Sequence, residues 1–388
     1  MSLKTAIFVT AGLTVLGLGL LNRSRRTVPA PPPEQTQPVW TRRVVKPRLP
    51  APRMAATAPA AEPSLDDSRP TNLIARLLSG DDSFKLSSQQ VEPYLQANRR
   101  SAESLLAAFR TTEDPAFLRE AMEKYPNDPR VNFAACFAAM QLPELPPEER
   151  RQRLEAFKQS APDNALANYL SAREHFRSGQ TDQAVQELVA ASGKSKFQEY
   201  SGDFVQNAEE AYRAAGYSEA EAKTIAACSL PLPQLAHLKR LGQDVAELAT
   251  LYRQAGDEAS AQAALQMGLN LAQRVGEPSG NHFVISDLVG LKLERQVLES
   301  IDPASPYDNA GHTVKDRLDE LNQHDEKIKR LREFGEPAPG DARGQRQDVL
   351  VTLSESLSDR DLISFFDRVK VSGEWEALRW ALNKLGPQ

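Results

Sequence analysis

The chain changes character at Thr71. From there on, apolar residues recur at helical spacing and are interrupted by Pro, Gly and Asn/Asp, the pattern of short amphipathic helices joined by turns. Ser101 precedes an Ala/Leu face and reads as a helix N-cap. The sequence Pro-Asn-Asp-Pro at 126–129 stops one helix and starts another, with Pro129 suited to a first helical position. Residues 142–147 form a further proline-rich break, and 148–160 reads as helix. The short apolar run at 348–353 is compatible with a strand in isolation, but its surroundings favour helix. No segment shows a sustained period-2 run of β-branched residues. The predicted fold is all-α.

Within that pattern three stretches resemble one another: H-F-R-S-G at 175–179, Y-R-A-A-G at 212–216 and Y-R-Q-A-G at 252–256, their glycines 37 and 40 residues apart. A self-similar period in the 30s is the mark of stacked helical hairpins. Gly179 and Gly256 are expected in the inter-helix turns, at positive φ. Near the C-terminus, 313–334 reads as one long helix with Val314, Leu318, Leu321, Ile328 and Leu331 on one face. Two readings compete for it, a packing helix and a self-association helix; Asp325 and Arg332 on the seam count against a coiled coil. Residues 360–385, with Phe365, Phe366, Trp375 and Trp380, read as a last helical hairpin whose aromatics close the stack.

The segment 162–191 resembles a tetratricopeptide repeat. Ala172 and Ala184 are small where two antiparallel helices approach, Leu188 is large, and Gly179 sits in the turn. The hairpin from Val245 is similar, with Leu248, Ala249 and Tyr252 before the Gly256 turn and Ala261 with Leu265 after it. The middle hairpin places Glu209 and Glu221 where the family has small residues. The resemblance extends over about 165–270 and implies a TPR-like α-solenoid of antiparallel hairpins that binds a protein or peptide. It puts the binding face on the first helix of each hairpin: Tyr169, Arg173, Phe176 and Arg177, then Gln206, Glu210 and Arg213, then Ala246, Thr250 and Arg253. Arginines beside aromatic rings there can grip a carboxylate. Solvated helix-face charge explains the same residues equally well.

Residues 5–21 form an uncharged run bounded by Lys4 and by Arg23, Arg25 and Arg26. As a helix it would span about 26 Å, near the lower limit for crossing a bilayer. The expectation is an uncleaved single-pass transmembrane anchor, because no small-residue cleavage site follows; a secretory signal is the competing reading. The arginines mildly favour a cytoplasmic body, with a signal-anchor that leaves the body outside as the nearly equal alternative. Residues 27–63 hold ten prolines and no glycine, which makes 22–70 a stiff, extended linker. Nine Lys/Arg against Glu34 and Glu62 give the first 63 residues a charge of +7, so the remainder carries −12 of the chain's −5 total. A basic stem precedes an acidic body, and the acidic body argues against nucleic-acid binding. The expected division is anchor 5–21, linker 22–70, helical array 71–300 and C-terminal helical segment 301–388.

Cys136 and Cys228 each follow Ala-Ala in an apolar stretch and read as buried small hydrophobes. His175, His237, His282, His312 and His324 show no i, i+4 pairing, and no P-loop, GxGxxG, GxSxG, HExxH or CxxC is present. The sequence thus predicts no cofactor, no metal and no catalysis. It points to a membrane-tethered adaptor, or else to a self-assembling envelope or cytoskeletal component joined through the 313–334 helix.

Overall fold

Helix boundaries in the computed structural model follow the capping chemistry of the sequence. The structure describes residues 73–78, 82–142, 144–276, 283–307, 311–332 and 349–386; the expected anchor and linker lie outside them. After α1 (Leu73–Leu78), α2 (Ser88–Ala97) opens on a capping box between Ser87 and Gln90. Ser101 caps α3 (Ala102–Thr112), Asp114 caps α4 (Pro115–Lys124) and Asp128 caps α5 (Pro129–Met140), the last two with proline at the first helical position. The helix α6 (Pro147–Ser160) follows the 142–147 break. Next come α7 (Ala165–Arg177), capped by Asn164, and α8 (Thr181–Ser192). Then α9 (Ser201–Ala214) leads to α10 (Glu219–Cys228), the latter with a second capping box between Ser218 and Glu221.

The three repeated glycines close helices. Gly179, Gly216 and Gly256 have φ of 71°, 97° and 79°. At each, the residue after the glycine donates its N–H to the carbonyl of the motif's first residue: Gln180 to His175 (2.9 Å), Tyr217 to Tyr212 (3.2 Å) and Asp257 to Tyr252 (2.9 Å). The glycine N–H bonds the carbonyl three residues back, which completes a Schellman motif. The recurring five-residue pattern therefore encodes a helix stop.

Two longer helices come next, α11 (Pro233–Gln254) and α12 (Glu258–Gly276), followed by α13 (Val284–Leu298). Helix α11 starts well before Val245, because Pro233 opens it and its apolar face runs unbroken through Leu235, Leu238, Leu241, Val245 and Leu248. After α14 (Val314–Arg332) come α15 (Val349–Ser356), a helix as its surroundings predict, and the closing hairpin of α16 (Asp359–Ser372) and α17 (Glu374–Leu385). Among the described residues there is no strand, only two isolated bridges.

Sequence neighbours pack in series as hairpins: α3 with α4, α5 with α6, α7 with α8, α9 with α10, and α11, α12 and α13 in turn. Contacts also reach past the nearest neighbour. Helix α9 lies on α2 and α3, α11 lies on α7, and α10 packs on both α1 and α16, while α1 meets α15. One core runs from Ile74 to Ala381 and joins residues on both sides of position 300. Cys136 and Cys228 are buried within it and are not joined in a disulfide.

The seam of α14 is occupied within the chain: Val314 and Leu321 are buried with Leu298 of α13, and Arg295 of α13 pairs with Asp325 at 2.6 Å. Helix α17 contributes to α13 as well. The N-cap of α13 is Phe283, which offers no side-chain acceptor, and the Glu374 carboxylate accepts the N–H of Val284 instead, at 2.9 Å. Beside it Trp375 Nε1 donates to Asp287 at 2.6 Å.

Candidate binding surface

Because α11 lies on α7, the face of α7 expected to be an open groove meets another helix of the same chain. Arg173 pairs with Asp244 of α11 at 3.2 Å, both side chains 18% exposed. Tyr169 is a core residue, 1% exposed, with its ring 6.2 Å from that of Phe197. Its burial corrects its assignment to the open face: residues 193–200, between α8 and α9, carry Phe197 over it. Burial pushes the Tyr169 hydroxyl up to about 12, and that hydroxyl has no partner among the described residues. Phe176 is half-buried and packs against the core.

Arg177 stays outside. Its side chain is 46% exposed and reaches Glu174 at 3.5 Å, while Glu174 is buried and pairs with the buried Arg150 of α6 at 3.3 Å. On α9, Glu210 is exposed and accepts a bond from Gln206 at 2.8 Å; Arg213 is exposed and makes no ion pair among the described residues. On α11, Thr250 is exposed and turns its hydroxyl back to Ala246, itself half-buried. Arg253 bonds the Ser300 carbonyl and reaches Glu258 at 3.5 Å. The expected residues therefore do not form one concave stripe. Arg173 and Arg177 share a neighbourhood on the α7–α11 seam, and Glu210 lies toward Tyr94 of α2.

The seam contains groups that the repeat resemblance did not single out. His237 lies beside Arg173 and Arg177, and its ring is 6.4 Å from Phe137. Burial first, and the two guanidiniums second, push its pKa down to about 4, so the imidazole is neutral at physiological pH. Asp244 follows His237 by seven residues, two helical turns on the same side of α11. That spacing was available in the sequence once the helix was extended back to Pro233. In chemical terms the seam offers one exposed guanidinium, Arg177, beside a guanidinium held by its own carboxylate, Arg173, and a neutral imidazole. This is a donor set for carboxylates.

Two other polar features stand out. On α9 the unexpected Glu209 is buried, with Lys223 of α10 at 3.0 Å and Lys370 of α16 also on its carboxylate; Lys223 reaches Asp367 at 2.6 Å. This cluster ties the closing hairpin to the array. Arg110 of α3 lies over the Phe204 ring, 4.0 Å from its centroid, and its buried Nε has no partner. A cleft of about 530 Å³ opens between α1, α10 and α16, with Leu73, Ile74 and Leu362 on its apolar side and Glu221 and Asp359 on its polar side. Both acids sit at capped helix N-termini, where the dipole favours them.

Among the described residues, no group of three His, Cys, Asp or Glu side chains is arranged to hold a metal ion, and no helix is long and apolar enough to cross a membrane. No protein-family model, curated protein or solved structure matches the chain.

Proposed function

We infer that the protein is a helical-repeat scaffold that binds a protein or peptide partner, held at a membrane by residues 5–21 and spaced from it by 22–70. The observation that carries the binding role is the α7–α11 seam. Arg177 projects from an otherwise acidic body with about half its side chain in solvent, next to Arg173 and a neutral His237. Such a seam suits an acidic segment, whose carboxylate Arg177 can hold in bidentate fashion. The membrane role rests on the sequence of the anchor and stem alone.

The test is affinity capture from the native host with full-length protein and an Arg177→Gln variant. Removing this one charge from a half-exposed side chain, while Glu174 keeps its pair with Arg150, should leave the melting temperature within about 2 °C. The partners of the wild type should be lost. Retention of every partner by the variant would end the seam assignment. The alternative, assembly through the 313–334 helix, is the weaker reading, because Val314 and Leu321 of its apolar face are already packed against Leu298 of α13.

A further inference from the structure

Residues 193–200 cross from α8 to α9 as a strap over the start of α7. Ala165 N–H donates to the Lys196 carbonyl at 2.8 Å, and Lys196 N–H to the Asp163 carbonyl at 3.1 Å, a parallel bridge. The Asn164 side chain doubles it, accepting the Gln198 N–H at 3.0 Å and donating to the Gln198 carbonyl at 2.9 Å. Farther back, Arg274 of α12 holds the carbonyls of Ser192 and Lys194. The strap ends at Tyr200, a bulky residue at φ 55°, which is a strained left-handed conformation.

The residue before that strained tyrosine is Glu199. It is 4% exposed, and neither carboxylate oxygen has a hydrogen-bond partner. Gln234, in the first turn of α11, adjoins it at 1% exposure, with its own Oε1 also unpartnered. The carboxylate is thus buried beside a buried amide, with no counter-ion at hand. The Gln234 amide favours the ionised form but gives it no counter-ion, so ionisation leaves a buried and uncompensated negative charge.

The charged groups nearby are committed elsewhere. Lys194 bonds the Pro162 carbonyl, and Arg274 bonds strap carbonyls. His237, three residues past Gln234, faces Arg173 and Arg177, and Asp203 of α9 is exposed. No charge from these elements acts on Glu199; burial alone drives its pKa up to about 7, with Gln234 as the one group favouring the ionised form.

We propose that the strap is proton-dependent: Glu199 is neutral beside the Gln234 amide while the strap is closed, and loss of its proton releases residues 193–200 from α7 and α11. Release relieves the backbone at Tyr200 and lifts Phe197 off Tyr169, uncovering an aromatic pair that is closed at lower pH. The device is independent of which partner, if any, the α7–α11 seam receives.

Amide hydrogen exchange on the full-length protein tests it, with intrinsic exchange rates corrected for pH. In the wild type, protection of the amides of Ala165, Lys196 and Gln198 should fall at least tenfold between pH 6 and pH 8.5. In Glu199→Gln, a neutral isostere, the pH 6 protection should persist at both values. A flat wild-type profile, or an equal loss in the variant, overturns the proposal. Should the variant not fold, infrared spectroscopy of the wild type decides. A protonated-carboxyl band present at pH 6 and gone by pH 8.5 supports the strap, and its absence at pH 6 refutes it.

Discussion

Replacing Gly290 with alanine should be among the most damaging single-methyl additions to this chain. Helices α12 and α13 meet backbone to backbone at Gly276 and Gly290. A Cβ at 290 would lie 2.6 Å from Gly276 N, 2.7 Å from Gly276 Cα and 2.9 Å from the Ala272 carbonyl oxygen. None of these atoms can rotate away, so the two helices must part by about 1 Å to reach ordinary contact distance. Overpacking of this kind costs about 1–3 kcal/mol directly. The separation also loosens Val289, Leu293 and Val297, all buried on α13. Losing about a quarter of their packing adds roughly 1–2 kcal/mol. Better helix propensity returns about 1 kcal/mol. The net expectation is a loss of about 1–4 kcal/mol.

Neighbouring positions supply the controls. A Cβ at Gly242 meets Leu293 Cδ2 at 2.1 Å, the mobile end of a side chain, so Gly242→Ala should cost less than Gly290→Ala. At Gly193 the nearest atom is 3.7 Å away and φ is −80°, so Gly193→Ala should be neutral or slightly stabilising. Urea unfolding gives the ranking from midpoints, provided the slopes agree. If Gly290→Ala falls within about 0.5 kcal/mol of wild type, or costs no more than Gly242→Ala, the backbone contact is not what holds α12 to α13.

The turn glycines and the buried charges make further tests. Gly179→Val and Gly256→Val should each destabilise by about 1–3 kcal/mol, although a Cβ has open space at both, because a β-branched residue is strained at positive φ; equal melting temperatures would contradict the Schellman geometry. Glu209→Ala should cost roughly 3–5 kcal/mol by leaving two ammonium groups together in a buried site, and the loss should shrink when Lys370→Met is added; simple additivity in the double mutant would argue against the cluster. His237 is held below its ordinary pKa, so the folded state favours the neutral ring. Its contribution is whole above pH 6.5 and erodes as pH falls toward 4. His237→Gln should therefore flatten the acid limb of the stability–pH curve, and an unchanged limb would exclude this residue.

What could be read from the sequence was whatever is settled locally. Ser101, Asp128 with Pro129, and the three turn glycines specify helix ends through hydrogen bonds within five residues, and each lies where the pattern placed it. The seam depends on a contact between α7 and α11 that no local signal encodes. Tyr169 looked available because nothing in 162–191 reveals that Phe197 folds back over it. Glu209 was visible only as a departure from the small residue expected there. Its explanation lies in Lys370, 161 positions away, and only the closing hairpin brings the two together.

The contact of α1 with α15 and α10 sets the order in which the body can finish folding. Helix α1 is the first described element to leave the ribosome, and its partner α15 is among the last. At about 5–20 residues per second, α1 waits on the order of tens of seconds for that partner, while the hairpins between them can already close on their own neighbours. During that interval Ile74 and Leu77, buried in the finished fold, have only part of their cover. The body is thus completed by a clasp between its first and last parts. Unfolding in the reverse direction should begin there, with release of α1 together with the C-terminal hairpin.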